Sequence, residues 1–129
     1  MEDSVVHWSG QLFLQDVFIS QVHGDRAVCL PSELHIRTKI AAREVLCVMQ
    51  SMPCSCKKEQ LLIVRPVQPS RQFEKLKKYL TEKNAAGIVH CDQLYSAVYL
   101  LPSSSTVCQA LELKNNCKDA IICALCPIM

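Results

Sequence analysis

Aromatic residues make up only 5% of this sequence. A core with so few rings must be built from Leu, Val, Ile, Ala and Cys. Charge of one sign is also scarce. Fourteen basic residues against twelve acidic ones leave a formal charge of +2, too even for a general nucleic-acid binder, so any basic site must be a local patch. No apolar run approaches the ~20 residues needed to span a membrane. Glu2 and Asp3 stand where a secretory leader would carry its positive charge, so no leader is expected. Low-complexity tracts and internal repeats are lacking. The sequence has no Gly-x-Ser-x-Gly elbow, no phosphate-binding glycine loop and no His-Glu-x-x-His helix, so none of these motifs offers an enzyme class.

What is present is an ordinary globular composition, half hydrophobic and a fifth charged over 129 residues. That length suits one domain spanning residues 1–129. The nine cysteines are an odd number, and with no leader expected they read as reduced thiols of the cytosol or nucleus. Cys123 and Cys126 have CxxC spacing, and Cys54 and Cys56 form a tighter pair. The first pair lies in the most hydrophobic stretch of the chain. Strand residues three apart face opposite sides, so these two are expected to be core residues rather than zinc ligands. Cys54 and Cys56, between Pro53 and Lys57, are expected in a loop. His90 and Cys91 are adjacent and would point apart on a strand, so they do not form a catalytic pair.

Hydrophobic periodicity predicts the elements. Val5 to Val22 alternates as a strand pair around a Gln15–Asp16 turn, and Gly24–Asp25 marks the next turn. Ala27–Leu30 and Glu33–Arg37 read as short strands. Ile40 to Met52 shifts to helical spacing, with Thr38 as a candidate N-cap and Pro53 as its stop. The run from Gln60 to Val64 reads as a buried strand closed by Pro66. Ser70 is placed to cap a second helix with an apolar stripe of Phe73, Leu76 and Leu80, Tyr79 at the edge of that stripe, and Gly87 as its stop. Glu74 and Lys78 are spaced for an i,i+4 pair. Ile88–His90 and Ser96–Leu101 read as strands about an Asp92–Gln93 turn. A short helix over residues 106–113, a polar loop over 114–118 and a last strand over 120–128 follow. That strand is apolar on both faces and therefore central. About seven strands and two or three helices imply an α+β fold whose sheet can curl into a barrel.

Two sets of basic residues stand out. Arg37 and Lys39 lie two apart at a strand end, where an anion would also meet the amides opening the first helix. The second helix carries Arg71, Lys75, Lys77, Lys78 and Lys83. A solvated helix face accounts for Lys75, Lys77 and Lys78, whereas Lys83 sits at the helix end. Nothing in the composition brings Lys83 to Lys39.

The order of these motifs resembles the SPOC domain, the family named from the split ends proteins. The resemblance runs over nearly the whole chain. It begins at Trp8-Ser9-Gly10, continues through Leu30-Pro31 and Arg37-Thr38-Lys39-Ile40, and includes the buried Leu61-Leu62-Ile63-Val64. Its most specific stretch, Phe73 to Ile88, reads FEKLKKYLTEKNAAGI and resembles the family segment F-x-x-x-x-x-Y-L-x-x-K-x-A-A-G-(I/V). Val98-Tyr99-Leu100-Leu101-Pro102 and the final apolar strand complete it. The resemblance implies a distorted seven-stranded β-barrel framed by two or three helices, no enzymatic activity and no cofactor. It implies a protein-interaction module of the nucleus, involved in transcription or RNA regulation. The partner would be a phosphoserine-containing or acidic peptide, such as a corepressor tail, the tail of RNA polymerase II or a silencing-complex subunit, with neither nucleic acid nor membrane bound directly. Carried over position by position, it assigns phosphopeptide binding to Arg37, Lys39, Lys83 and Tyr99. Lys39 is a point charge where some members carry the bidentate fork of Arg. The alternative reading is a constitutive scaffold without a phosphate pocket, packing a partner subunit of a silencing complex on an apolar surface such as Phe13 and Phe18.

Overall fold

In a computed structural model, residues 8–25, 27–28, 30–50, 61–90, 95–111, 113 and 120–127 are described. The chain opens with the predicted hairpin, β1 (Ser9–Leu14) and β2 (Val17–Gly24). They join through Gln15 and Asp16, both left-handed with φ of 48° and 69°, as a tight hairpin turn demands. Next come β3 (Glu33–Ile36), β4 (Thr38–Ala41) and α1 (Ala42–Gln50). These are followed by β5 (Leu61–Pro66), α2 (Arg71–Lys83), β6 (Ala85–His90), β7 (Tyr95–Pro102), α3 (Ser105–Ala110) and β8 (Ile121–Pro127).

The eight described strands form one sheet in the order β3-β1-β2-β5-β8-β7-β6-β4. Its two edge strands, β3 and β4, are consecutive in the chain, with only Arg37 between them. The sheet must therefore curl until its edges meet, which makes a nearly closed barrel with its seam at Arg37. There the Arg37 amide donates to the Ile88 carbonyl at 3.3 Å. β1 and β3 pair in parallel, and the other pairs are antiparallel.

Register assigns the faces, because directly paired residues share a side of the sheet. Lys39, Gly87, Leu100, Cys123 and Leu62 form one row across β4, β6, β7, β8 and β5. Thr38, Ile88, Tyr99, Ala124 and Leu61 form the adjacent row on the opposite face. On the first face Leu62, Leu100 and Cys123 pack with Phe73, Leu76 and Leu80 of α2. On the second, Leu61 and Ala124 pack with Ala42, Val45 and Met49 of α1 and with Val107 of α3. β8 is central, as predicted, and Ile121 to Leu125 are fully buried. Cys123 is one of them, a small core residue rather than an accessible ligand.

The second helix forms where its sequence pattern places it. Ser70 caps it, its side chain accepting from the Phe73 amide at 3.1 Å, and Phe73, Leu76 and Leu80 are buried. Glu74 pairs with Lys77 at 3.0 Å rather than with Lys78, which lies 4.0 Å from Glu82. The helix stops at Asn84, left-handed at φ 50° and ψ 50°, and not at Gly87. Ala85–Gly87 already belongs to β6. Gly87 is needed for space instead: a Cβ there would meet Ile36 Cγ2 at 3.0 Å.

The β3–β4 corner also departs from expectation. Thr38 does not cap a helix. Thr38–Ala41 pairs with Ala85–Ile88 as β4, and α1 starts only at Ala42, whose amide donates to the Asn84 carbonyl at 2.9 Å. Long-range pairing overrides the helix propensity of this stretch. The described sheet thus has eight strands against about seven expected, β4 being one that the sequence did not mark. The Asp92–Gln93 turn, Pro53, Cys54, Cys56 and the 114–118 loop lie outside the described residues. Ala27, Val28 and Leu30 form no strand.

Candidate functional site

A cleft of about 570 Å³ opens at the barrel seam. Its apolar floor is Leu14 at the end of β1, Ile36 at the end of β3, and Leu76 and Leu80 of α2. Gly87 leaves the opposite wall bare, and Arg37, Thr38, Lys39 and Tyr79 supply polar atoms. Each contributor is fixed by the fold. β4 carries Lys39 onto the α2 side of the sheet by its pairing with Gly87. The buried stripe of α2 places Tyr79 beside it, one position from Leu80.

Lys39 Nζ donates to the Tyr79 hydroxyl oxygen and lies 4.6 Å from the centroid of the ring. Contact with an aromatic ring at this range favours a cation and holds a flexible lysine in one place. The ammonium retains further N–H donors, and the tyrosine retains its own O–H proton. Arg37 Nη1 lies 2.7 Å from Asp16 Oδ1. The hydrogen bond from Arg37 holds the Asp16 carboxyl below the ordinary carboxylate range, aided by the charges of Arg37 and His35. His35 stacks on Phe13 with centroids 4.5 Å apart, and its Nε2 is 3.0 Å from Glu33 Oε1.

The four residues the sequence nominates are thus placed differently. Arg37 and Lys39 line one cleft. Lys83 is exposed one helical turn beyond Tyr79, the i,i+4 spacing that puts both on one face of α2. It does not line the cleft, and as the last helical residue it also offsets the negative end of the helix dipole. Tyr99 lies in the row with Ile88 and Ala124, on the opposite face of the sheet from Lys39, against the α1 and α3 core. The tyrosine at the cationic cleft is Tyr79. Its signal in the sequence was its position at the border of an otherwise aliphatic stripe. The helix-opening amides expected beside Arg37 and Lys39 are displaced by the length of β4.

Elsewhere, Val17, Phe18 and Val67 are exposed, and Phe18 meets Phe13 edge-on at 5.7 Å. Among the described residues, no group of three or more His, Cys, Asp or Glu could hold a metal ion, and no helix is long and apolar enough to cross a membrane.

The family model described as SPOC domain matches residues 2–125. The fold is similar to the crystal structure of the SPOC domain of human PHD-finger protein 3, with a TM-score of 0.67 at 12% sequence identity, covering 95% of this chain and 97% of that one. No curated protein matches in sequence.

Proposed function

The chain belongs to the SPOC domain family, a family of protein-interaction modules, and on that premise we propose that it binds a phosphoserine-containing peptide of a nuclear partner in the seam cleft. Residues 1–129 form one such module, non-enzymatic, acting in transcription or RNA regulation. The observation that supports this reading most is the Lys39–Tyr79 contact beside Arg37 over an apolar floor.

A phosphoserine brings about −1.5 to −2 charges and three strong acceptors. Arg37 offers a planar set of N–H donors to one or two phosphate oxygens. Lys39 supplies a second cation, oriented by Tyr79. The Tyr79 O–H donates a neutral hydrogen bond while its oxygen accepts from Lys39. Lys83, a turn further along α2, adds charge at the rim. Tyr79 takes the part that the family resemblance gave to Tyr99. The floor of Leu14, Ile36, Leu76 and Leu80 receives apolar parts of the same peptide.

Charge-assisted hydrogen bonds of this kind contribute ~1.5–3 kcal/mol, so losing Lys39 weakens binding roughly tenfold or more. The test is a fluorescence-polarisation titration with a degenerate Ser-containing peptide pool, phosphorylated and not, at low and physiological salt. Preference for the phosphorylated pool, lost in Lys39→Ala, is expected. Equal binding of both pools removes the phosphate reading. The exposed Val17, Phe18 and Val67 favour the second reading, a scaffold that packs a partner subunit on apolar surface. That interface would resist high salt, which screens phosphate contacts more strongly.

A further inference from the structure

Arg37 does not face the cleft unengaged. Three observations fix Asp16 against it. The Asp16 carboxylate sits 2.7 Å from the guanidinium. The turn that carries it is set by two left-handed residues, Gln15 and Asp16. The Gln15 amide donates to the Ile36 carbonyl at 3.0 Å, which ties the hairpin tip to the residue just before Arg37. The Phe13–His35 stack braces the same corner, and His35 Nδ1 lies 3.8 Å from Asp16 Oδ1. The backbone thus holds the Asp16 turn beside Arg37, and the exposed carboxylate reaches the guanidinium from there.

We propose that Asp16 is a built-in competitor for the anion site, the carboxylate that a phosphate must displace from Arg37 or share it with. The proposal rests on the phosphopeptide reading above. A phosphate oxygen taking the guanidinium would bring a dianion within a few ångströms of the Asp16 charge. Sharing is then opposed by like-charge repulsion, and displacement costs the existing ion pair. An exposed pair is weak, so the competitor lowers affinity without closing the site. A single carboxylate on a peptide gains little by exchanging with Asp16, one carboxylate for another. A phosphate, with more charge and a third oxygen, still gains. Asp16 thus sets a threshold that weakly acidic peptides fail to pass.

The test is Asp16→Asn, titrated with the labelled phosphoserine peptide pool beside wild type. Asn tolerates the left-handed turn conformation as well as Asp does, so the hairpin is kept, and circular dichroism checks that it is. Affinity is expected to rise about fivefold, the upper end of an exposed pair. The same substitution in an Arg37→Ala background is expected to give no such gain, because the competed donor is absent. An equal gain in both backgrounds would mean only a general change of charge and would overturn the proposal. Unchanged or weaker binding in Asp16→Asn, with wild type still preferring the phosphorylated pool, would overturn it too and leave the phosphate reading standing. If neither protein binds the phosphorylated pool, that reading fails and takes this proposal with it.

Discussion

β8 and the β3–β4 corner belong to the same sheet and have opposite characters. β8 has a strand on each side and helices over both faces, so Ile121 to Leu125 see no solvent. The corner is where the sheet runs out of partners. Its two edge strands are consecutive in the chain, α2 covers one side only in part, and Arg37, Thr38 and Lys39 are exposed. The wall around β8 holds the barrel because Ile121 to Leu125 are wholly given to packing. The seam can present charge because Arg37, Thr38 and Lys39 are exposed while Leu34 and Ile36 of β3 stay in the core.

Substitutions should separate the two regions. Leu125→Ala in the wall leaves a cavity and is expected to cost ~2–5 kcal/mol of stability, read as a lower urea midpoint, while the folded fraction keeps wild-type peptide affinity. Gly10→Ala is expected to cost ~1–3 kcal/mol, because the new Cβ would sit 2.6 Å from the Ser32 carbonyl oxygen and 2.7 Å from the Trp8 ring. Lys39→Ala at the seam should do the reverse, changing stability by less than ~0.5 kcal/mol and weakening phosphopeptide binding roughly tenfold.

Two finer substitutions sharpen the contrast. Tyr79→Phe removes one neutral hydrogen-bond donor and the oxygen that steadies Lys39, for a loss of about two- to tenfold in affinity. Tyr99→Phe, on the other face, is expected to leave affinity unchanged, and an equal loss there would restore the family-derived assignment. The smallest effect concerns acid. Arg37 holds the Asp16 carboxyl below its ordinary value of 3.8. A carboxyl lowered in the folded state adds stability above its unfolded value and loses it as pH falls through its folded value. The small stability advantage of wild type over Asp16→Asn should therefore be present near neutral pH and vanish on acidification below 3.8.

Local signals carried much of the fold. α2 was legible because cap, apolar stripe and polar face agree at 3.6-residue spacing from Ser70 to Lys83. β8 was legible because no soluble surface tolerates such a run from Ala120 onward. The hairpin at Gln15–Asp16 announced itself by alternation on both sides. Thr38–Ala41 did not, because a Thr cap followed by Ile40 and Ala41 looks like a helix start, and only pairing with Ala85–Ile88, more than forty positions away, makes it a strand. The same pairing decides the site. Whether Tyr79 or Tyr99 meets Lys39 depends on Lys39 facing Gly87, and a one-residue slip in register would reverse the answer. The Asp16–Arg37 pair is likewise a product of topology, since it needs β1 and β3 side by side.

Recognition at the seam should be visible residue by residue. Chemical-shift mapping of isotope-labelled protein during addition of the phosphoserine peptide pool tests it most directly. Perturbations are predicted to centre on Gln15, Arg37, Lys39, Tyr79 and Gly87, with Val17, Phe18, Val67 and Tyr99 unmoved. Shifts confined to Val17, Phe18 and Val67, or to the Tyr99 face, would put recognition elsewhere and remove the seam as the binding site.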